Sequence, residues 1–114
     1  DPGIGFGKAL ADNLALLNAL PLFHALGQPL MLGASRKRMI GALSAEAPAH
    51  RRLGGSLTLA LRGLEAGVQL LRVHDVAETV QALVRQARPQ VGDSLLGAMK
   101  RGGVGMIGLN AART

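Results

Sequence analysis

The sequence contains no Cys, Trp or Tyr, and its only aromatic residues are two Phe among 114 residues. Without Cys, the chain can form neither disulfide bonds nor thiolate metal sites. With so few aromatic side chains, Leu and Ala have to fill the hydrophobic core. Nucleic-acid bases would find little to stack on, so we expect no nucleic-acid partner. The net charge of +6 instead favours an anionic small molecule, such as a phosphorylated one.

Long apolar segments are also absent. No run approaches the ~20 apolar residues of a membrane-spanning helix, and no signal peptide is recognisable. We therefore expect a cytoplasmic protein without a membrane partner. The sequence opens with Asp1, inside a motif, and not with Met. We expect it to be truncated at its N-terminus.

Apolar periodicity and Gly or Pro breakers predict that helices alternate with strands. The predicted order is a helix over 10–26 interrupted at Pro21, a strand over 29–33, helices over 35–43 and 52–66, a strand over 68–73 and a helix over 75–88. This alternation predicts an α/β fold with a parallel sheet, typical of the last units of a larger barrel or doubly wound sheet. Residues 89–114 read as a Gly-rich tail of unknown role and poor order, with a short helix over 93–100.

The first motif is the Gly-rich segment 1–8, Asp-Pro-Gly-Ile-Gly-Phe-Gly-Lys. It matches neither the Walker phosphate loop, because Ala9 replaces the hydroxyl residue, nor the dinucleotide fingerprint. Asp1 adds a carboxylate that could accept two hydrogen bonds from the edge of a pterin or guanine ring. The alternative is that Asp1 simply stabilises a turn.

Two basic motifs each follow a predicted strand. The first is Gly-Ala-Ser-Arg-Lys-Arg over 33–38, where Ser35 is predicted to cap a helix and the cations favour an anion site. The second is Leu-Arg-Val-His-Asp-Val over 71–76, where Arg72 and His74 point the same way on a strand and suit a diphosphate. Asp75 is predicted to cap the next helix. The alternatives are a solvated basic patch and side chains satisfied by backbone carbonyls.

In this order and spacing, the three motifs resemble dihydropteroate synthase from Asp1 to about Leu83. The resemblance implies the C-terminal part of a TIM (β/α)₈ barrel, truncated before or at the end of the sixth strand, with residues 1–88 as its last units. It implies a transferase of folate biosynthesis that joins hydroxymethyl-dihydropterin diphosphate to p-aminobenzoate and releases pyrophosphate. It also implies a homodimer.

The resemblance further assigns roles to individual residues. Lys37, Arg72 and His74 would be catalytic, with Arg72 and His74 holding the diphosphate. The substrate-binding set would be Asp1, Phe6, Gly33, Ser35, Lys37, Arg72 and His74. Mg²⁺ would accompany the diphosphate, with no metal ligand in this chain and the protein ligand in the N-terminal part that we expect to be missing.

Two other functions stay open. One is a pterin-binding methyltransferase domain on the same barrel, although methyl transfer releases no pyrophosphate and leaves the basic strand ends without a purpose. The other is a non-catalytic fragment that requires a missing half. The resemblance implies that the family's mobile catalytic loops lie before this segment, so we expect the chain to be inactive by itself.

Overall fold

The computed structural model describes residues 1–86 and 103–109 of the chain. The elements follow in this order: α1 (Leu10–Asn18), a 3₁₀ helix (Leu20–Leu26), β1 (Met31–Leu32), α2 (Arg38–Leu43), a second 3₁₀ helix (Ala49–Arg51), α3 (Leu53–Glu65), β2 (Leu70–Val73), α4 (Val76–Gln86) and β3 (Gly105–Gly108). Among these described residues, no helix combines the length and apolarity needed to cross a membrane.

The three strands form one parallel sheet with the order β1-β2-β3. Met31 pairs with Leu70 at one edge of β2, and Leu70 pairs with Gly105 at the other edge. The predicted α/β fold with a parallel sheet is therefore confirmed. Because all strands run in one direction, their carboxyl ends and the loops that follow them meet on one side of the molecule.

An aliphatic core lies between the sheet and its helices, as the lack of aromatic residues requires. Its buried members are Ile4, Leu20, Leu30, Leu32, Ala34, Met39, Ala60, Val68, Leu71, Val73 and Leu83. Phe23 packs against this cluster but is only partly buried. Burial alternates along β2: Leu71 and Val73 are buried in this core, whereas Leu70 and Arg72 are more exposed.

The fully buried residues of helix α3 are all small. Its buried residues are Ser56, Ala60 and Gly63. A Cβ at Gly63 would lie 2.9 Å from Leu32 and 3.3 Å from Leu71. The large side chains at this contact therefore come from the strands, and α3 has to approach them closely.

The first helical segment ends as predicted. Gly27 stands at the end of the first 3₁₀ helix with φ 75°, a left-handed conformation that glycine adopts without steric cost. His24 lies in that 3₁₀ helix with its Nε2 atom 2.7 Å from the carbonyl oxygen of Ala66. This contact ties the segment to the end of α3 and keeps His24 away from the strand ends.

Two predicted helix caps are wrong. Helix α2 begins at Arg38, and no side chain caps it. Ser35 lies too early to cap this helix, and its hydroxyl instead contacts His74. Asp75 does precede α4, but its carboxylate accepts two hydrogen bonds from Arg36. In both cases the side chain bonds to a residue of the neighbouring loop and not to the backbone N–H groups of the helix that it was expected to cap.

The tail contributes a strand that the sequence analysis did not predict. Residues 105–108 form β3 and pair with β2 over its whole length. Leu109 continues the pairing, because its N–H donates to the carbonyl oxygen of Val73. The short helix predicted over 93–100 lies outside the described residues, as does most of the predicted tail.

Candidate functional site

A cavity of about 500 Å³ opens at the carboxyl ends of β1 and β2. The Gly-rich loop and the loops that follow the two strands surround it. Its lining residues are Gly5, Phe6, Gly33, Ser35, Arg36, Lys37, Arg38, Ala49, Arg52, Arg72, His74 and Leu109. The lining contains five Lys or Arg side chains and no carboxylate among the residues that the structure describes. A cavity with this lining favours an anionic ligand.

Arg72 reaches the cavity from β2, and His74 reaches it from the position directly after that strand. They stand two residues apart along the chain, so their side chains leave the same face, as predicted from strand parity. Arg72 packs against the backbone of Gly33, where a Cβ would lie only 2.5 Å from a guanidinium nitrogen. The absence of a side chain at Gly33 is thus what lets the Arg72 guanidinium lie across the end of β1.

Asp1 also contacts the Arg72 guanidinium. One carboxylate oxygen lies 3.5 Å from Arg72 Nη2. The other oxygen accepts a 2.8 Å hydrogen bond from the N–H of Gly3, which orders the start of the Gly-rich loop. Asp1 is therefore a turn residue and a partner of Arg72, and its predicted contact with a pterin stays a prediction.

Two polar pairs join the loop after β1 to the loop after β2. Ser35 Oγ accepts a 3.1 Å hydrogen bond from the backbone N–H of His74 and lies 2.9 Å from His74 Nδ1. The next residue along, Arg36, donates two hydrogen bonds of 3.2 Å and 2.8 Å to the carboxylate of Asp75. This bidentate pair fixes the loops relative to each other.

Arg36 also adopts an uncommon backbone conformation, with φ 54°. Ser56 and Arg52 hold it there. The N–H of Arg36 donates to Ser56 Oγ at 2.8 Å, and the Arg52 guanidinium donates to the carbonyl oxygen of Arg36 at 2.9 Å. A non-glycine residue persists in this region of φ only when its surroundings enforce it. Contacts from α3 and from the residue before it thus determine the shape of this loop.

Lys37 links the loop after β1 to the Gly-rich loop. Its Nζ donates to the carbonyl oxygen of Ile4 at 2.9 Å and lies 4.2 Å from the centre of the Phe6 ring. Asn13, buried in α1, accepts a 3.0 Å hydrogen bond from the N–H of Gly5. The Gly-rich loop is thereby held from both sides, and its exposed Phe6 covers a cation at the cavity wall.

The site's electrostatics reflect burial and crowding of positive charge. Burial lowers the pKa of Lys37, and the nearby charge of Arg72 lowers it further. Burial also lowers the pKa of His74; Arg36 and Lys37 act in the same direction, while Asp75 opposes them. The hydrogen bonds to Asp75 raise the pKa of Arg36. His74 is therefore neutral over a wider pH range than an exposed histidine.

The structure brings the predicted site residues together. All except Asp1 line the cavity, and Asp1 touches it through Arg72. Arg52 and Asn13, which support the loops, were not predicted as functional residues from the sequence. Neither carries a recognisable signal in the sequence, because each acts through a backbone group that only the fold brings near.

The residues around the cavity do not suit a metal ion directly. Within the described ranges, no three His, Cys, Asp or Glu side chains are close enough together to hold one. Asp1 is the carboxylate paired with Arg72, and it is already engaged there. The Mg²⁺ implied by the resemblance therefore finds no ligand set among the residues described.

The family comparison identifies the first two thirds of the chain. Residues 1–74 match the family called "Pterin binding enzyme". The chain is 49% identical over 83 residues to dihydropteroate synthase of Escherichia coli K12, covering 73% of this chain and 29% of that protein. It is 46% identical over 78 residues to dihydropteroate synthase of Bacillus subtilis 168, covering 68% of this chain and 27% of that protein. The chain thus spans less than a third of these relatives.

Solved structures agree. Dihydropteroate synthase of Thermus thermophilus in complex with 6HMPPP matches with a TM-score of 0.69 and 50% identity, over 72% of this chain and 33% of that one. The Xanthomonas albilineans enzyme in complex with 7,8-dihydropteroate matches with a TM-score of 0.72 and 51% identity, over 76% of this chain and 34% of that one. The resemblance to dihydropteroate synthase is confirmed.

Proposed function

The chain belongs to the family of pterin-binding enzymes, and we propose that it is the C-terminal portion of a dihydropteroate synthase. The whole protein would join a hydroxymethyl-dihydropterin diphosphate to p-aminobenzoate, yielding dihydropteroate and pyrophosphate. Relatives with about half of their residues identical over the matched region carry this name, and two of the similar structures were solved with 6HMPPP and 7,8-dihydropteroate.

The convergence of cations at the ends of two parallel strands is the observation that carries this proposal. Five Lys or Arg side chains and His74 line one cavity of about 500 Å³. A diphosphate carries several negative charges at neutral pH, and Arg72 offers it the planar donor pair that phosphate groups accept. A reaction that releases pyrophosphate needs such a site, whereas methyl transfer does not.

The chemistry requires stabilisation of a leaving group more than activation of a nucleophile. As the bond between the pterin methylene carbon and the diphosphate oxygen breaks, negative charge grows on the departing oxygen. Arg72 and the Nε2 side of His74 would stabilise that charge by hydrogen bonding. The amine nitrogen of p-aminobenzoate forms the new bond to the methylene carbon and loses a proton to solvent.

The remaining side chains would shape the pterin and aminobenzoate positions. Asp1 would accept hydrogen bonds from the amino-pyrimidine edge of the pterin, and its present distance of 3.5 Å from Arg72 would bring pterin and diphosphate sites side by side. Lys37 would contact the pterin. Phe6, which is 64% exposed and rests on Lys37, would cover the aminobenzoate together with Ser35.

Mg²⁺ would enter with the diphosphate and neutralise part of its charge. By the family resemblance, its protein ligand would belong to the part of the enzyme that precedes this segment. We assign no step of the reaction to the metal. We also propose that the segment starts at the end of the sixth strand of a (β/α)₈ barrel, and that this segment alone does not catalyse the reaction.

We further propose that the whole protein is a homodimer in the cytoplasm. The lack of Cys is compatible with a reducing compartment, and dimerisation follows from the family resemblance alone. Sedimentation equilibrium of the whole protein would measure its oligomeric state. A monomer over the working concentration range would remove the dimer without affecting the proposed reaction.

Titration calorimetry of the whole protein separates this function from a methyltransferase. Pyrophosphate and methyl-tetrahydrofolate should be titrated in separate experiments, each with Mg²⁺ present. We expect pyrophosphate to bind and product to form when both substrates are supplied. Binding of the methyl-folate without binding of pyrophosphate would overturn the proposal in favour of methyl transfer.

Replacing Arg72 tests the anion site directly. Loss of charge-assisted hydrogen bonds costs about 1.5–3 kcal/mol, so Arg72→Ala should weaken pyrophosphate binding roughly 10- to 150-fold. Arg85→Ala is the matched control, because Arg85 is exposed on α4 and does not line the cavity. Equal affinities for the two variants would remove Arg72 from the site.

A further inference from the structure

The hydroxyl of Ser35 is committed to one partner residue. Ser35 is only 6% exposed, and both of its hydrogen bonds involve His74. Its Oγ accepts from the backbone N–H at 3.1 Å and lies 2.9 Å from Nδ1 of the ring. The pair connects the two strand-end loops and lies at the wall of the cavity.

The number of available hydrogens decides the direction of the ring contact. A serine hydroxyl carries one hydrogen, and the oxygen already accepts one hydrogen from the backbone. If Nδ1 donated its own hydrogen, the hydroxyl hydrogen would need another acceptor. The described part of the chain places no other hydrogen-bonding partner beside Ser35 Oγ, and a buried donor without a partner is costly. The favoured arrangement is therefore a hydroxyl that donates to Nδ1.

We propose that Ser35 is a positioning residue that holds His74 as the neutral tautomer with its hydrogen on Nε2 and directs that N–H into the cavity. A ring that accepts at Nδ1 must carry its hydrogen on Nε2 when it is neutral. Nε2 makes no hydrogen bond to the described residues, so it is available to a ligand. His74 then serves as a neutral donor beside the cations. This inference rests on the proposed function for the identity of the ligand, a diphosphate oxygen.

The charges around the ring support the neutral form. Arg36 and Lys37 face His74 from the loop after β1, and Asp75 follows it in the chain. Asp75 would favour a charged ring, but both of its carboxylate oxygens already accept hydrogen bonds from Arg36. Arg72 shares the cavity wall. A protonated His74 ring would therefore be repelled by the positive charges around it.

The tautomer can be read directly by NMR on the whole protein labelled with ¹⁵N in its histidine rings. His74→Gln assigns the signals. We expect Nδ1 to show the shift of an unprotonated ring nitrogen and Nε2 that of a protonated one. Ser35→Ala should replace this pattern by averaging between tautomers, and Ser35→Thr, which keeps the hydroxyl, should restore it. A proton on Nδ1 in the unaltered protein would overturn the proposal, whether or not Ser35→Ala folds.

Ser56→Ala is the control for loss of a buried hydroxyl. Ser56 is 7% exposed, and its hydroxyl bonds to backbone groups of Arg36 and Arg52 and not to His74. The His74 pattern should persist in this variant. Averaging of the tautomers in both serine variants would mean that general loosening of the loops, and not the Ser35 hydroxyl, changes the ring, and would sink the proposal.

Measurements of pyrophosphate affinity distinguish a failure of the positioning role from a failure of the proposed function. Residues that orient a metal-ligating histidine typically contribute roughly 10- to 100-fold. Taking the lower end of that range for a histidine that binds an anion, Ser35→Ala should bind pyrophosphate on the order of tenfold more weakly, with Ser35→Thr close to the original. His74→Gln, with an amide N–H near the Nε2 position, should bind better than His74→Asn. An unaltered protein with the expected tautomer but no affinity for pyrophosphate would refute the function and leave the positioning role. If the unaltered protein binds pyrophosphate and Ser35→Ala binds it with the same affinity, the positioning role is refuted and the proposed function is not.

Discussion

Gly33→Ala should damage the anion site without unfolding the protein. A Cβ at residue 33 would lie 2.5 Å from Arg72 Nη2 and 3.0 Å from two further guanidinium atoms. Ordinary contact between such atoms begins near ~3.5 Å, so the guanidinium has to retreat by about 1 Å. A displacement of this size at a positioned group can cost about 100-fold. We expect pyrophosphate to bind roughly 10- to 100-fold more weakly.

Stability should hardly change in the same variant. Gly33 does not have a positive φ, so alanine is compatible with its backbone, and the atoms that must move belong to a flexible side chain. The free energy of unfolding in urea should stay within about 1 kcal/mol of the original. Gly54→Ala is the matched control, because nothing lies within 4 Å of a Cβ at that helical position. It should bind pyrophosphate normally.

A double variant supplies the decisive comparison. If residue 33 acts only through the guanidinium of Arg72, then Gly33→Ala should have no further effect in an Arg72→Ala background. Calorimetric titration with pyrophosphate of the unaltered protein, the two single variants and the double variant measures the coupling energy between residues 33 and 72. Additive losses would show that the methyl group blocks the ligand itself, and unchanged affinity in the single variant would refute the role of Gly33 altogether.

Two other predictions concern stability. Gly55→Ala would drive a methyl group into the side chain of Ile40, so it should lower the free energy of unfolding by about 1–3 kcal/mol in urea while pyrophosphate affinity of the folded protein stays normal; an unchanged unfolding midpoint would contradict this packing. Burial and the nearby charge of Arg36 lower the pKa of His74 in the folded protein. At pH values between that lowered pKa and the usual value near ~6.5, the unfolded chain therefore binds more protons than the folded protein. Stability should therefore rise with pH through that window, by at most about 1.4 kcal/mol per pH unit from this group, and the slope should shrink in His74→Gln; equal slopes would contradict the shift.

Local features of the sequence predicted the parts of the site that depend on local geometry. Arg72 and His74 share a cavity because the side chains of an extended segment alternate with a period of two, and this holds for His74 although the strand itself ends at Val73. Gly33 likewise follows an apolar strand and precedes a basic segment. The residues that carry these signals lie within a few positions of each other, so a single sequence is sufficient to predict them.

Contacts between distant segments were not predictable in the same way. Ser35 and Asp75 looked like helix caps, because both residue types favour that position. Each instead pairs across the two loops with a partner 39 residues away. A hydroxyl or a carboxylate can bond to several kinds of partner, and the fold decides which partners lie within reach. The choice between capping and pairing therefore depends on how the strands bring the loops together.

The strand β3 was missed for a related reason. Its two apolar residues, Met106 and Ile107, stand between Gly105 and Gly108, so the segment has neither the length nor the alternation that indicates a strand. Its conformation depends on the edge of β2, which supplies the hydrogen bonds. Propensity alone could not identify it, since glycine is disfavoured in strands.

The central place of β2 in the sheet has a consequence for amide exchange. Within the described residues, β2 has hydrogen-bonded neighbours on both sides, whereas β1 and β3 each have one. Amide protons of a strand held on both sides exchange only through the larger, rarer openings of a protein. Arg72 thus lies in the strand whose amides we expect to exchange last, and His74 directly follows that strand. The amides of the loop over 33–37 and of the Gly-rich loop should exchange faster. An anion that enters the cavity should slow exchange in those loops far more than in β2.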